Sequence, residues 1–263
     1  MEENRETPVE GGIPLRHIAM RVAYDGSRFC GSQRQTNGPS VQGELERALQ
    51  VVLKAEIPVA LAGRTDAGVH ATGQVAAFFT ANQSLPVERV PLALNSVLDR
   101  AVRVREAWEA DDAFHPRFSA KSRIYRYRIE CGRTGNPLLR ELAGLVPETL
   151  DETAMRRVSV EFLGKQDFAA WQSAGSPTST TIREIKKLEF RRVLAFESEL
   201  LEVEIEADGF LYQMVRNIVG ALIAAGRGQI TGEDVRVLTA GRDRTKCPPP
   251  APPQGLSLVQ VNY

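Results

Sequence analysis

Hydrophobic positions along the chain predict short strands joined by hairpins or by single helices. Alternating or continuous apolar residues predict strands over the following ranges: 18–24, 59–62, 75–79, 102–110, 121–130, 182–190, 200–207 and 256–263. Apolar residues at helical spacing predict helices over 41–52, 86–98, 151–163 and 211–226, and a last helix from Thr231. Because the strands outnumber the helices, we expect an α+β fold with a mixed, largely antiparallel sheet.

The most regular helical pattern runs from Leu211 to Ile223 and includes one charged residue, Arg216. Tyr212 lies one turn before this arginine. Gly220 lies one turn after it, where the missing side chain would let another element pack closely. A buried arginine needs a partner, whereas one at the edge of the helix can extend into solvent, and the pattern leaves both possibilities open.

Turn-forming and polar segments predict the domain organisation. Residues 1–12 are polar and acidic, and we expect them to be disordered. Residues 111–118 form a turn-rich join, which predicts an N-terminal α+β half over 13–112 and a C-terminal α+β half over 113–263. The proline-rich residues 247–253 are predicted to be an extended linker.

Composition excludes several classes of protein. The 263 residues have the hydrophobic and charged fractions of an ordinary globular protein, and the longest apolar run is far shorter than a membrane span. The three cysteines are scattered, with no Cys-x-x-Cys spacing, so neither disulfides nor a zinc site is indicated. We therefore expect a cytoplasmic protein that has no membrane contact and no metal.

Charge is segregated along the chain although the formal net charge is zero. Residues 115–133 contain a cluster of basic residues: Arg117, Lys121, Arg123, Arg126, Arg128 and Arg133, against Glu130 alone. This cluster could offer a basic face to a phosphate backbone. Residues 197–208 contain only acidic charges, which we expect to lie on a solvated strand face.

Residues 61–71 concentrate candidate chemistry in the predicted connection between two strands. Arg64, Asp66 and His70 are interleaved there with glycines, which allow a large substrate to come close to Asp66. The same letters also suit an ordinary turn, in which an aspartate bonds its own backbone. Arg64 favours a site, because a nearby guanidinium could keep the carboxylate ionised, as a nucleophile or base requires.

Four ordered motifs resemble the tRNA pseudouridine synthase A family. They occupy residues 62–70, 121–127, 210–217 and 255–258, and the similarity extends from about Ile13 to Tyr263. The resemblance implies two pseudo-symmetric α+β halves that share a mixed sheet around a central RNA-binding cleft, and a homodimer. It also implies a tRNA substrate, isomerisation of uridine to pseudouridine at positions 38, 39 and 40 of the anticodon stem-loop, and no cofactor.

The resemblance assigns roles to five residues. Asp66 would be the nucleophile or base, flanked by Arg64 and Arg216, and Tyr125 and Leu256 would contact the extruded base. Whether the carboxylate forms an acylal or a glycal intermediate stays open. A tyrosine or leucine in a strand can equally be core, and His70 and His115 receive no catalytic role. The alternatives are a synthase of this family with other or broader target uridines, and an RNA-binding protein without activity.

Overall fold

The computed structural model describes residues 9–10, 13–36, 38–175 and 178–263. The chain divides into two compact units, one formed by the residues up to Ala120 together with Tyr263 and one by Lys121–Asn262. Most of the tail predicted to be disordered, residues 1–8 and 11–12, lies outside the described residues. Residues 9 and 10 form a short strand. The predicted halves, divided between residues 112 and 113, stay a prediction.

The described residues of the first unit form an antiparallel sheet and two α-helices. Its elements in chain order are β1 (Val9–Glu10), β2 (Ile13–Pro14), β3 (Arg16–Tyr24), α1 (Val41–Leu53), β4 (Ala60–Leu61), β5 (His70–Thr80), α2 (Val90–Asn95) and β6 (Val102–Glu109). Strand β3 pairs with both β5 and β6, β4 pairs with β5, and β1 pairs separately with β2. The predicted elements are therefore all present, although β5 begins five residues earlier than the predicted strand 75–79.

Helix α1 forms where capping and periodicity predict it. The Oγ atom of Ser40 accepts the backbone N–H of Gly43 at 3.1 Å, which satisfies one of the donors left at a helix start. The apolar face is buried at these positions: Val41, Leu45, Ala48 and Leu49. This face packs into the core of the unit, as predicted.

In the part of the second unit that the structure describes, a mixed sheet is accompanied by three α-helices. Its elements are β7 (Ser122–Cys131), β8 (Gly144–Val146), α3 (Glu152–Ser159), β9 (Gly164–Asp167), β10 (Ile182–Ala195), β11 (Ser198–Ala207), α4 (Met214–Gly226), α5 (Gly232–Gly241) and β12 (Leu256–Asn262). The strand order is β12-β7-β11-β10-β9, and β8 pairs with β7 in parallel, in contrast to the antiparallel pairs. The predicted α+β class, with a mixed and mostly antiparallel sheet and helices, is confirmed.

The connection between β10 and β11 is shorter than the gap between the predicted strands 182–190 and 200–207. Phe196 and Glu197 form it alone, with φ angles of 48° and 64°. Two positive φ angles give a turn whose twist matches that of the flanking strands. Both strands therefore extend further toward the turn than their apolar alternation predicts.

The two faces of β7 differ in chemistry. Tyr127 and Ile129 are fully buried on one face, as the alternation predicts. On the other face, Arg126 pairs with Glu204 at 2.8 Å and Arg128 pairs with Glu202 at 2.9 Å. The prediction of a solvated acidic face is wrong for Glu202, which is 3% exposed, because β11 places it opposite arginines of β7.

None of the helices in the described part of the chain combines the length and the apolar character needed to cross a bilayer.

Candidate active site

Two loops of the first unit interlock around Asp66: the loop that follows β3 and the loop between β4 and β5, which carries Asp66. The backbone N–H of Thr65 donates to Oγ of Ser32 at 2.8 Å, and the N–H of Ser32 donates to the Thr65 carbonyl at 3.0 Å. On the other side of Asp66, the N–H of Gly68 donates to the Gly26 carbonyl at 3.2 Å. The backbone is therefore fixed both before and after the aspartate.

Asp66 itself begins a tight turn. Its carbonyl accepts the N–H of Val69 at 3.1 Å, and Gly68 has a φ of +80°, which favours glycine. The residue is half-buried. Gly73 lies in β5, and neither Gly63 nor Gly73 has a positive φ. The predicted turn and the predicted site thus coincide at Asp66.

Gly26 and His70 hold the loop after β3 against the loop that carries Asp66. A side-chain Cβ at Gly26 would lie 2.0 Å from the carbonyl oxygen of Val69, so only glycine fits this contact. Nδ1 of His70 accepts the Gly26 N–H at 3.1 Å and also lies 3.3 Å from Oδ1 of Asp25. A nitrogen that accepts from Gly26 carries no proton for Asp25, so we read His70 as a structural brace.

Arg64 occupies the same loop as Asp66 but is exposed. No hydrogen bond or ion pair joins its side chain to another residue in the described part of the chain. The structure therefore does not bring the guanidinium of Arg64 into contact with Asp66, and Arg64 faces solvent as an exposed positive charge.

Arg216 lies on α4 and is held by the proline-rich segment of residues 247–253. Its Nε donates to the Ala251 carbonyl at 2.8 Å, and the N–H of Ala251 donates to the Arg216 carbonyl at 2.9 Å. A Cβ at Gly220 would lie 2.0 Å from the Pro249 carbonyl oxygen, so the expected close approach at this glycine is present. The side chain of Arg216 is thus half-buried and oriented, not extended along the helix edge.

Tyr125 and Leu256 lie on adjacent strands. Leu256 of β12 faces Tyr127 of β7, and Leu258 faces Tyr125, so these four side chains share one face of the sheet. Tyr125 is 7% exposed and meets the ring of Phe210 edge-on, with centroids 5.1 Å apart. Leu256 is 4% exposed. Both predicted contact residues are therefore mostly buried in the second unit.

Tyr127 connects this face to Arg216. Its hydroxyl donates to the Pro252 carbonyl at 2.9 Å, and the residue is fully buried. Burial raises the pKa of Tyr127 far above its usual value, while the positive charge of Arg216 acts in the opposite direction. The phenol is therefore a permanent donor, and it fixes the proline-rich segment that also holds Arg216.

Among the described residues, no group of three or more His, Cys, Asp or Glu side chains is arranged so that it could hold a metal ion. The expectations of no metal and no cofactor stay predictions. The pairing of Asp66 with Arg216 joins residues of different units, and it also stays a prediction.

The sequence-based interpretation missed the residues beneath the Asp66 loop. Four buried residues with polar groups surround this loop: Tyr24, Ser32, Thr65 and Gln74. Their spacing in the sequence does not predict that they lie close together, because they belong to two strands and two loops that are distant in the chain. The one available signal is that Gln74 continues the apolar run of β5 with a polar side chain.

Comparison with known proteins agrees with the motifs. A family model described as tRNA pseudouridine synthase matches residues 20–119 and 158–263. The chain is 44% identical over 249 residues to tRNA pseudouridine synthase A of Roseiflexus sp. strain RS-1, covering 95% of this chain and 91% of that protein. It is 38% identical to tRNA pseudouridine synthase A of Caldicellulosiruptor bescii and 39% identical to that of Geobacter sulfurreducens, each over 95% of this chain and 100% of the relative. Since the similarity extends over nearly the whole sequence and both units, this chain belongs to the tRNA pseudouridine synthase family and is an isomerase of uridine in tRNA.

Proposed function

We propose that this enzyme converts the uridines at positions 38, 39 and 40 of the tRNA anticodon stem-loop to pseudouridine, with Asp66 as the catalytic carboxylate. One observation carries the assignment of Asp66. Its backbone is anchored on both sides by the Ser32 and Gly26 contacts, while the residue stays half-exposed. A carboxylate that is both fixed in place and accessible to a large substrate suits catalysis on a nucleotide.

The reaction requires a charged group close to the ribose. The bond between N1 of uracil and C1′ breaks, the base turns, and a new bond forms between C5 and C1′, while C5 loses a proton and N1 gains one. A carboxylate can add to C1′ or remove a ribose proton, which are the acylal and glycal routes, and Asp66 suits either role. Because the reaction is an isomerisation without net oxidation, its balance requires no cofactor.

Two arginines are proposed to take part in catalysis, one at the carboxylate and one at the RNA backbone. Arg216 is oriented by its bonds to Ala251 and is offered as the charge partner of Asp66. Arg64 is exposed beside Asp66 and is offered as a contact for RNA phosphate near the target nucleotide.

Recognition of the base is proposed to involve Tyr125 and Leu256. A uridine inside RNA is reached only after it leaves its stack, and an extruded base is stabilised by an aromatic or apolar surface. The edge contact with Phe210 packs against the Tyr125 ring and supports its orientation on this face of the sheet.

The role of Asp66 is tested by release of tritium from tRNA labelled at C5 of uracil. We expect Asp66→Asn and Asp66→Ala to abolish release while binding of tRNA, measured by filter retention, stays close to that of the unmodified protein. Asp111→Asn is the control, because Asp111 is an exposed aspartate of the same unit outside the interlocked loops. Turnover by Asp66→Asn would refute the assignment.

Target positions are tested by mapping carbodiimide-resistant uridines in bulk tRNA after treatment with the enzyme. Modification confined to positions 38, 39 and 40 is the expected result. Modification elsewhere would support a synthase with other or broader targets, and binding without any modification would support an inactive RNA-binding protein.

A homodimer and a cytoplasmic location, where tRNA is available, are further parts of the proposal. Light scattering of the purified protein across a concentration series measures the first directly, and a constant mass of one chain would contradict it.

A further inference from the structure

A buried polar network lies beneath the loop that carries Asp66. Tyr24 of β3, Gln74 of β5 and Thr65 of the loop are 5%, 0% and 7% exposed. The hydroxyl of Tyr24 lies 2.8 Å from Oγ1 of Thr65, and Nε2 of Gln74 donates to the same hydroxyl at 3.3 Å. Nε2 also donates to the Gly63 carbonyl at 2.9 Å. The network therefore ties residues 63 and 65 to two strands of the sheet.

The orientation of Gln74 follows from its partners. The Gly63 carbonyl can only accept a hydrogen bond, so the amide NH₂ group must face it and Oε1 must point away. That oxygen is buried and has no hydrogen-bond partner among the described residues. Leaving a buried acceptor unpaired lowers stability, and an apolar residue would avoid this penalty. Such a local conflict is typical of a residue that serves a site.

Tyr24 links Gln74 to Thr65 through its hydroxyl group. Burial raises the pKa of Tyr24 above its usual value, although hydrogen bonds with Thr65, Gln74 and Ser32 act in the opposite direction. The phenol therefore stays protonated at neutral pH. Because it accepts from Gln74, its own proton is available for Oγ1 of Thr65, the residue immediately before Asp66.

We propose that Tyr24, Thr65 and Gln74 are positioning residues of the isomerase, which fix the carboxylate of Asp66 through the backbone of residues 63–66. The inference rests on the proposed catalytic role of Asp66. A misplacement of about 1 Å can lower a catalytic rate about 100-fold. Binding of tRNA extends over a much larger surface, so loss of the network affects kcat far more than KM.

Thr65 offers a matched pair of variants for the test. Thr65→Val removes the hydroxyl and keeps the shape, and we expect it to lower kcat for tRNA about tenfold or more, with KM within about twofold. Thr65→Ser keeps the hydroxyl, and we expect it to restore most of the activity. Tyr24→Phe, which removes the other hydroxyl of the pair, provides an independent variant should Thr65→Val fold poorly. The combined variant should lose about as much as the more affected single variant, because the two hydroxyl groups share one contact.

Thr80→Val is the control for a general loss of stability. Thr80 is 5% exposed, lies at the far end of β5, and its Oγ1 accepts the Asn82 N–H at 3.1 Å. We expect this variant to keep its kcat while its melting temperature falls as that of Thr65→Val does.

The outcomes separate this inference from the proposed function. An inactive Asp66→Asn together with normal kcat in Thr65→Val and Tyr24→Phe would overturn only the positioning role. Equal loss of kcat in Thr80→Val would also overturn it, because the effect would then be general. Turnover by Asp66→Asn would instead remove the catalytic role on which the inference rests.

Discussion

The substitution Gly26→Ala tests whether the interlocked loops determine the position of Asp66. The added Cβ would lie 2.0 Å from the carbonyl oxygen of Val69, a distance that real Cβ atoms do not show. The nearest atoms are all backbone atoms of Val69, so no flexible side chain can move away to make room. The two loops must therefore separate.

The required displacement can be worked out from the contact. Opening the distance from 2.0 Å to the 3.0 Å lower limit moves the Val69 backbone by at least about 1 Å relative to Gly26. Val69 is joined to Asp66 by the hydrogen bond from its N–H to the Asp66 carbonyl, so the turn moves with it. A displacement of this size predicts a loss of kcat of about 100-fold. Overpacking predicts a loss of about 1 to 3 kcal/mol in the free energy of unfolding.

Initial rates of tritium release and urea denaturation of the same preparations measure both quantities. Gly241→Ala is the matched control, because Gly241 ends α5 and a Cβ there meets no atom within 4 Å. We expect the control to keep its rate and its stability. A Gly26→Ala variant with unchanged kcat would refute the reasoning, since it would show that the loops can separate without moving the proposed catalytic carboxylate.

Two further predictions concern the second unit. Burial acts to raise the pKa of Glu202, but the hydrogen bond from Arg191 and the charges of Arg126 and Arg128 outweigh this and hold the pKa below its usual value. The ionised Glu202 therefore contributes to stability above about pH 4.5, and this contribution is lost as the pH falls through the lowered pKa. Glu202→Gln should lower the free energy of unfolding at pH 7 by about 1 to 3 kcal/mol. In urea denaturation, the difference between this variant and the original protein should shrink toward pH 3. A constant difference across that range would contradict the assignment. Tyr125→Phe should keep more activity than Tyr125→Leu, because the ring that meets Phe210 is retained, and equal losses of kcat at similar melting temperatures would assign the effect to the hydroxyl.

Local sequence patterns predicted the parts of the fold that local interactions determine. Ser40 caps α1, and Thr231 and Asp234 form reciprocal capping contacts at the start of α5. The alternation in β7 correctly placed Tyr127 and Ile129 on the buried face. In each case the residues that specify the element lie within a few positions of one another, so the chain itself carries the information.

The construction around Asp66 depends on pairing that no local pattern shows. Residues 70–74 read as a loop because they are polar and contain glycine, yet β5 begins at His70. The reason is tertiary, since Ala71 pairs with Tyr24 and Gln74 pairs with Val22 of β3. Once these strands pair, Tyr24 and Gln74 come under the loop and can hold it. The motif therefore indicates Asp66 as the candidate catalytic residue but does not show how its backbone is held.

The charged residues of β7 show how strand register decides a functional question. Arg126 and Arg128 share a face by alternation, and the observed register places them opposite Glu204 and Glu202. A shift of one residue would move the acidic side chains to the face on which Tyr127 is buried, so burial of that face also specifies the ion pairs. These two arginines are consequently engaged within the sheet. Attraction of the phosphate backbone must then rest mainly on basic residues outside this strand pair.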